Sequence, residues 1–237
     1  MASFVQTNVN LWLAEFDLSA DFNAVALAIG AETVDDTVYG DAVRSSAGGL
    51  LTARLEGEGY WDSTLDSRLF AKVGVEDTIV SVAPVDGSEG SPAFSMKMTA
   101  GEYSPMAGSE LGSMLAFRIT GESRGTRVIS GTIMANKTSV SATGNGTSVQ
   151  LGAVTATQRV YSAVHLLALT GTSIDFTVAS DDNSGHTSET TRLTHPQMTA
   201  VGSNWQDAAG AITDDRWRLK YTIVGSSFDF VGVVGIG

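Results

Sequence analysis

The sequence predicts an all-β protein, and three observations predict it. Apolar and polar residues alternate with a period of two in one run after another, and these runs are rich in Val, Ile, Thr and aromatic residues. Twenty-six glycines against four prolines supply turns and close strand packing while leaving few residues that block a sheet ladder. A helical period occurs over one short stretch only.

In chain order, Val25, Leu27 and Ile29 begin the alternation. Strand-like runs follow at residues 50–56, 78–83, 94–99, 116–120, 127–134, 159–169, 173–179, 217–224 and 228–236. Nine or more strands in one chain require sheets packed on sheets, or a barrel. Residues 63–73 carry the one helix, with Leu65, Leu69 and Phe70 on one face, Ser63 and Asp66 spaced as a variant capping box, and Gly74 to stop it. Residues 138–148 are small and polar and contain Asn145-Gly146, which suits a linker or a hairpin turn. A boundary there gives two domains, 1–140 and 148–237, the second a β-sandwich. In that second block Val160, Val164, Leu167, Leu169, Phe176 and Val178 point to a core, and Trp217, Leu219, Tyr221 and Ile223 alternate strictly. Residues 180–191 read as a surface loop, too polar to be buried.

Composition excludes several classes of function. With no cysteine, disulfides and thiolate metal sites are impossible. A net charge of −12 argues against a protein that wraps nucleic acid through phosphate contacts. The acid is concentrated early: residues 1–145 carry 18 acidic against 9 basic side chains, and residues 146–237 carry 8 against 5. Met1 to Gln6 has no basic leader, and no apolar run reaches the length of about 20 residues that spans a bilayer, so the expectation is a soluble protein made in the cytoplasm, without membrane contact.

No catalytic site, cofactor site or metal site is predicted. The sequence has no G-x-S-x-G, no phosphate-binding Gly-rich loop with Lys, and no H-E-x-x-H. His165 lies in an apolar run and reads as a core histidine, while His186 and His195 flank a polar loop. Asp181-Asp182-Asn183 and Asp214-Asp215 could offer oxygen ligands to calcium, but turn chemistry explains both. Arg216, Arg218 and Lys220 form a basic stripe opposite an apolar one, read as a solvated or interface face.

The segment from Phe16 to Phe70 sets unusual residues in a fixed order. Asp17-Leu18-Ser19 precedes a strand; Tyr39-Gly40-Asp41 and Gly48-Gly49-Leu50 follow; a second strand ends in Gly57-x-Gly59-Tyr60-Trp61-Asp62 before the helix. This order resembles the major tail tube proteins of long-tailed, siphovirus-type bacteriophages, over roughly residues 12–135. The resemblance implies a tail-tube-type β-sandwich or barrel with a flanking helix, here followed by an additional C-terminal β-sandwich, either an outer decoration or a second tube-type domain. It further implies a structural virion protein whose copies form hexameric or trimeric rings, stacked as a conduit for DNA ejection. Its partners would be itself, tape-measure proteins and tail-tip or tail-terminator proteins, with DNA in non-specific transit. Residues 35–49 are the expected ring-to-ring loop. Glu56 and Glu58 share one face of their strand by parity, with Arg54 two residues before, and are the expected lumen-facing charges. The alternatives are a capsid decoration protein, or a carbohydrate- or receptor-binding virion module with Trp205, Trp217, Tyr161 and Tyr221 as stacking aromatics.

Overall fold

The computed structural model describes residues 8–40, 42–108 and 110–237; Asp41 of the Tyr39-Gly40-Asp41 motif and the stretch Met1 to Gln6 lie outside them. The fold is all-β. Its strands are β1 (Asn10–Leu13), β2 (Phe16–Asp17), β3 (Phe22–Asp35), β4 (Ser46–Tyr60), β5 (Thr78–Ala83), β6 (Pro92–Ser104), β7 (Ala116–Ser123), β8 (Ile129–Val140), β9 (Gly144–Asn145), β10 (Val149–Gln150), β11 (Arg159–Asp181), β12 (Thr190–Thr194), β13 (Gly202–Ala209) and β14 (Arg216–Ile236). One helix, α1 (Ser63–Phe70), interrupts them among the described residues. No helix there is long and apolar enough to cross a membrane.

The chain forms two compact units, and both are discontinuous in sequence. Of the described residues, the larger contains those in 8–20, 78–96 and 129–237, and the smaller those in 21–77 and 97–128. Residues 138–148, read from sequence as a boundary, therefore fall inside the larger unit. Asn145-Gly146 makes no hairpin turn: Gly144–Asn145 pairs with Tyr221 and Lys220, and Gly146 lies so close to Met134 that a Cβ would sit 2.0 Å from its carbonyl oxygen.

In the larger unit two long strands do most of the building. β11 and β14 pair antiparallel from Val160–Ile236 to Asp181–Arg216, with bulges near residues 166–173. The sequence expectation of four separate strands is corrected here, because the ladder continues through the irregular stretch. Glycines allow it: a Cβ on Gly171 would lie 2.6 Å from the Gly225 Cα. The two halves of the pair then fold onto each other. Val160, Val164, Leu166, Phe228, Phe230 and Val234 of one half cluster with Ile174, Phe176, Val178, Trp217, Leu219 and Tyr221 of the other.

The opposite face of the first half is also buried. Val231 and Val233 pack with Trp12, Ala83, Ala93 and Ile133, and Leu167 joins this cluster rather than the one the alternation assigned it to. The C-terminal block is thus no self-contained sandwich: it shares its cores with β1, β5, β6 and β8.

The smaller unit is a four-stranded antiparallel sheet in the order β3-β4-β7-β6. From Ala53 onward β4 alternates buried and exposed residues, and β7 does the same, so one face is apolar. On that side Phe117, Ile119, Leu55, Met98 and the helix residues Leu65 and Leu69 are buried. Phe70, expected on the same helical face, is exposed. The helix starts one residue earlier than a Ser63 capping box implies, since the Asp62 carboxylate accepts from the backbone N–H groups of Thr64 and Leu65.

Candidate assembly surfaces

The smaller unit's second face is charged, and strand register makes it so. Arg54, Glu56 and Glu58 share one side of β4, as their spacing implied. Arg54 stands opposite Glu122 of β7, Glu56 opposite Thr120 and Glu58 opposite Arg118. On β6, Glu102 stands opposite Thr120. The face therefore carries four glutamates against two arginines. Arg54 Nε lies 2.8 Å from Glu56, and Arg118 donates to Glu58. These pairs are solvent-exposed and contribute little to stability, so they set the sign and pattern of the surface rather than hold the sheet together.

The helix is fixed to the other face by polar bonds. Asp66 accepts from Trp61 Nε1 at 3.0 Å and from the Tyr103 hydroxyl at 2.8 Å, and burial with the Asp66 carboxylate beside it pushes the Tyr103 phenol up. Trp61 thus contributes to the helix's placement through its N–H. Phe22 and Phe117 pack edge to face at 5.1 Å, and the room for Phe22 exists because Gly57 has no side chain: a Cβ there would lie 2.1 Å from the ring.

Among the described strands β3 pairs with β4 alone, which leaves a 14-residue edge without proline or lysine. Edges of this length are normally blunted in monomers. The far half of the β3–β4 pair rises as an arm whose connecting loop, residues 36–45, is shorter than the 35–49 expected, because Ser46 onward is strand. Thr37 closes the loop by hydrogen bonds with Ser45. Ile29, Val34, Val38, Tyr39, Val43, Leu50 and Leu51 are all exposed on this arm.

The remaining candidate residues are structural. Trp217 is fully buried, with Nε1 donating to the Gly152 carbonyl, and Trp205 and Tyr221 are buried too; Tyr161 packs at the edge of the Trp205 cluster. Trp217, Trp205 and Tyr221 therefore present no exposed ring for stacking on a sugar, and Tyr161 is half-buried. His165 is buried, with Nδ1 donating to the Ala14 carbonyl and Nε2 accepting from Ser81, which is bonded in turn to Ser95. Burial lowers its pKa to about 4 and keeps it neutral. His195 is held the same way between Asn204 and Ser162, also with burial lowering its pKa to about 4.

The loop after β11 is less exposed than its polarity implied. Asp181 is buried and accepts from the backbone N–H groups of Asn183 and Ser188, and His186 is buried against Ser148. Glu189 reaches Arg218 and Lys220, so the basic stripe is covered by an acid from this loop. Asp214 takes Ser180 and Arg192, and Asp215 takes Gln150. Among the described residues no cluster of His, Asp or Glu is arranged to hold a metal ion.

No family profile matches the chain, and no curated protein matches it. Solved structures do overlap with it. A chain from the virion of a native gene transfer agent particle aligns at 20% identity over 54% of this chain and 98% of its own, with a TM-score of 0.42. The Dit protein of SPP1, described as a paradigm of the hub adsorption apparatus in phages infecting Gram-positive bacteria, aligns at 8% identity over 98% of this chain and 100% of its own, with a TM-score of 0.38. A chain of the sheath–tube complex of an extracellular contractile injection system aligns at 13% identity over 52% and 87%, TM-score 0.38. TM-scores below 0.5 are too loose to assign a function.

Proposed function

We propose that this chain is a structural subunit of a phage-type tail, a tube protein whose copies join in rings and stack to form a conduit for DNA. One observation carries the reading: the smaller unit's sheet is finished on one face, where the helix covers it, and unfinished on the other face and along β3. An apolar face sealed by a helix needs nothing more. A long open edge beside a glutamate-rich face needs neighbours, and closing the sheet through successive copies removes the edge and turns the charged face inward. Glu56, Glu58, Glu102 and Glu122 would then repel passing phosphates, and Arg54 and Arg118 would moderate the field.

The subunit would belong to the virion, be made in the host cytoplasm, and meet tape-measure and tail-tip or tail-terminator proteins at the ends of the tube. It would perform no catalysis. The reading is tested by electron microscopy of the purified protein, in which rings or hollow tubes are expected. A monomer that persists at high concentration, with a tail-tip initiator present, counts against it.

A further inference from the structure

The helix-side face of the smaller unit's sheet is covered unevenly, and register shows where. Val25, Leu27 and Ile29 of β3 stand opposite Gly57, Leu55 and Ala53 of β4, so all six positions share the apolar face. Leu55 and Ala53 are buried, but Val25 and Leu27 are only half-buried and Ile29 is 56% exposed. The cause is the position of the helix, which lies toward β6: Asp66 is bonded to Tyr103 of that strand. The chain leaving the helix returns to β6, where Val73 forms a bridge with Ala100 and the Gly74 N–H donates to the Ala100 carbonyl at 2.9 Å. Ala100 pairs with Gly121 of β7 on its other side, so this segment lies at the lateral edge of the sheet opposite β3. Phe70, Val73 and Val75 are 71%, 40% and 43% exposed there.

We infer that residues 68–75 of one copy cover the β3 row of the next, with Phe70, Val73 and Val75 seated on Val25, Leu27 and Ile29. The inference rests on the tube reading and names the side-chain contact that joins neighbours within one ring. Three features favour this occupant. The strands β3-β4-β7-β6 alternate in direction, so β3 of one copy runs antiparallel when set beside β6 of the next; the helix-side faces then adjoin, and the 68–75 segment stands next to the uncovered row. Two different edges meeting in this way make a head-to-tail contact, which closes as a ring. Charge selects the same pairing. Residues 68–75 carry Arg68 and Lys72 and no acid, whereas residues 21–35 carry Asp21, Glu32 and Asp35 and no base. Opposite signs meet across the junction, while two β3 edges brought together would gather six acids and repel. Finally, the helix packs on its own sheet through Leu65 and Leu69, so the exposed trio contributes little to the fold that carries it.

The chain has no cysteine, so introduced ones report without background. Leu27→Cys and Val73→Cys would be made singly and together, assembled, imaged, and treated with a short bismaleimide before denaturing electrophoresis. Within one copy the two positions are about four strand spacings apart, roughly 19 Å, so a short linker joins them only between copies. Rings with a ladder of covalent oligomers from the double variant, dimers only from the mixed single variants, and no product from either single variant alone support the contact. Rings without a ladder, or dimers from one single variant alone, overturn it and leave the tube reading standing. Absence of rings and tubes from the unsubstituted protein under every condition overturns both. In a second arm, Phe70→Glu should keep the melting temperature within a degree or two of the parent yet raise the protein concentration needed for ring formation by about tenfold, the effect of losing one aromatic anchor at an interface. Rings from Phe70→Glu at the parent's concentration contradict the inference.

Discussion

Single residues in this protein show what the fold tolerates, and its histidines show it in terms of pH. His165 and His195 are neutral and buried, with pKa values of about 4 against 6.5 in an exposed chain. The unfolded chain therefore takes up protons between pH 6.5 and 4 that the folded chain refuses. Their stabilisation is complete above pH 6.5 and is lost as pH falls toward 4, on the order of 3 kcal/mol for each. Thermal melting of the protein between pH 7.5 and 4 should show this loss, and a His165→Gln, His195→Gln double variant should show a flatter curve; an unchanged slope would contradict the assignment. Gly59 is constrained differently, since a Cβ there would sit 2.1 Å from the Asp21 carbonyl oxygen and 2.7 Å from the Phe117 ring. Gly59→Ala should lower stability by about 2–3 kcal/mol in denaturant titration. Asp62→Ala removes both capping bonds of the helix and should cost about 1 kcal/mol, while Phe70→Ala, on an exposed site, should stay within about 0.5 kcal/mol.

At the scale of elements, the arm is separable from the fold that carries it. Its described residues beyond Ile29 and before Ala53 are exposed, so the core of the smaller unit does not depend on them. Replacing residues 31–50 with a tight Asn-Gly turn should leave the far-ultraviolet spectrum β-rich and the melting temperature nearly unchanged, yet abolish higher assembly in sedimentation velocity; loss of folding would contradict this division. Strands of this kind were legible in the sequence wherever alternation was regular: 78–83 coincides with β5, and Arg54, Glu56 and Glu58 were assigned to one face by parity alone. What parity does not contain is register. Arg118, Glu122 and Glu102 join the charged face only because β7 and β6 pair in a particular alignment, and no local pattern encodes that. For the same reason β11 and β14 read as four strands: alternation breaks at Gly171 and Gly225, whereas the ladder passes through them. The helix start was misread by one residue, as Asp62 and Ser63 are both good caps and only the hydrogen bonds choose between them.

For the whole molecule, the two units divide the work the proposed function requires. The larger unit buries its apolar residues in closed clusters around β11 and β14 and engages its charged loop residues with one another, so it can persist as a self-contained body. The smaller unit has one sealed face, one charged face, an open edge and an exposed arm, features that make sense in company. This split was hidden from sequence because each unit is assembled from separated segments, and composition shifts at residue 140 follow the chain, not the fold. The central claim is that copies of this chain close into rings that stack into a hollow tube. Cryo-electron microscopy of the concentrated protein with a tail-tip initiator tests it most directly. The account predicts tubes whose lumen is lined by Glu56, Glu58, Glu102 and Glu122, with β3 of each copy hydrogen-bonded to its neighbour; discrete monomers, or rings with the charged face turned outward, would contradict it.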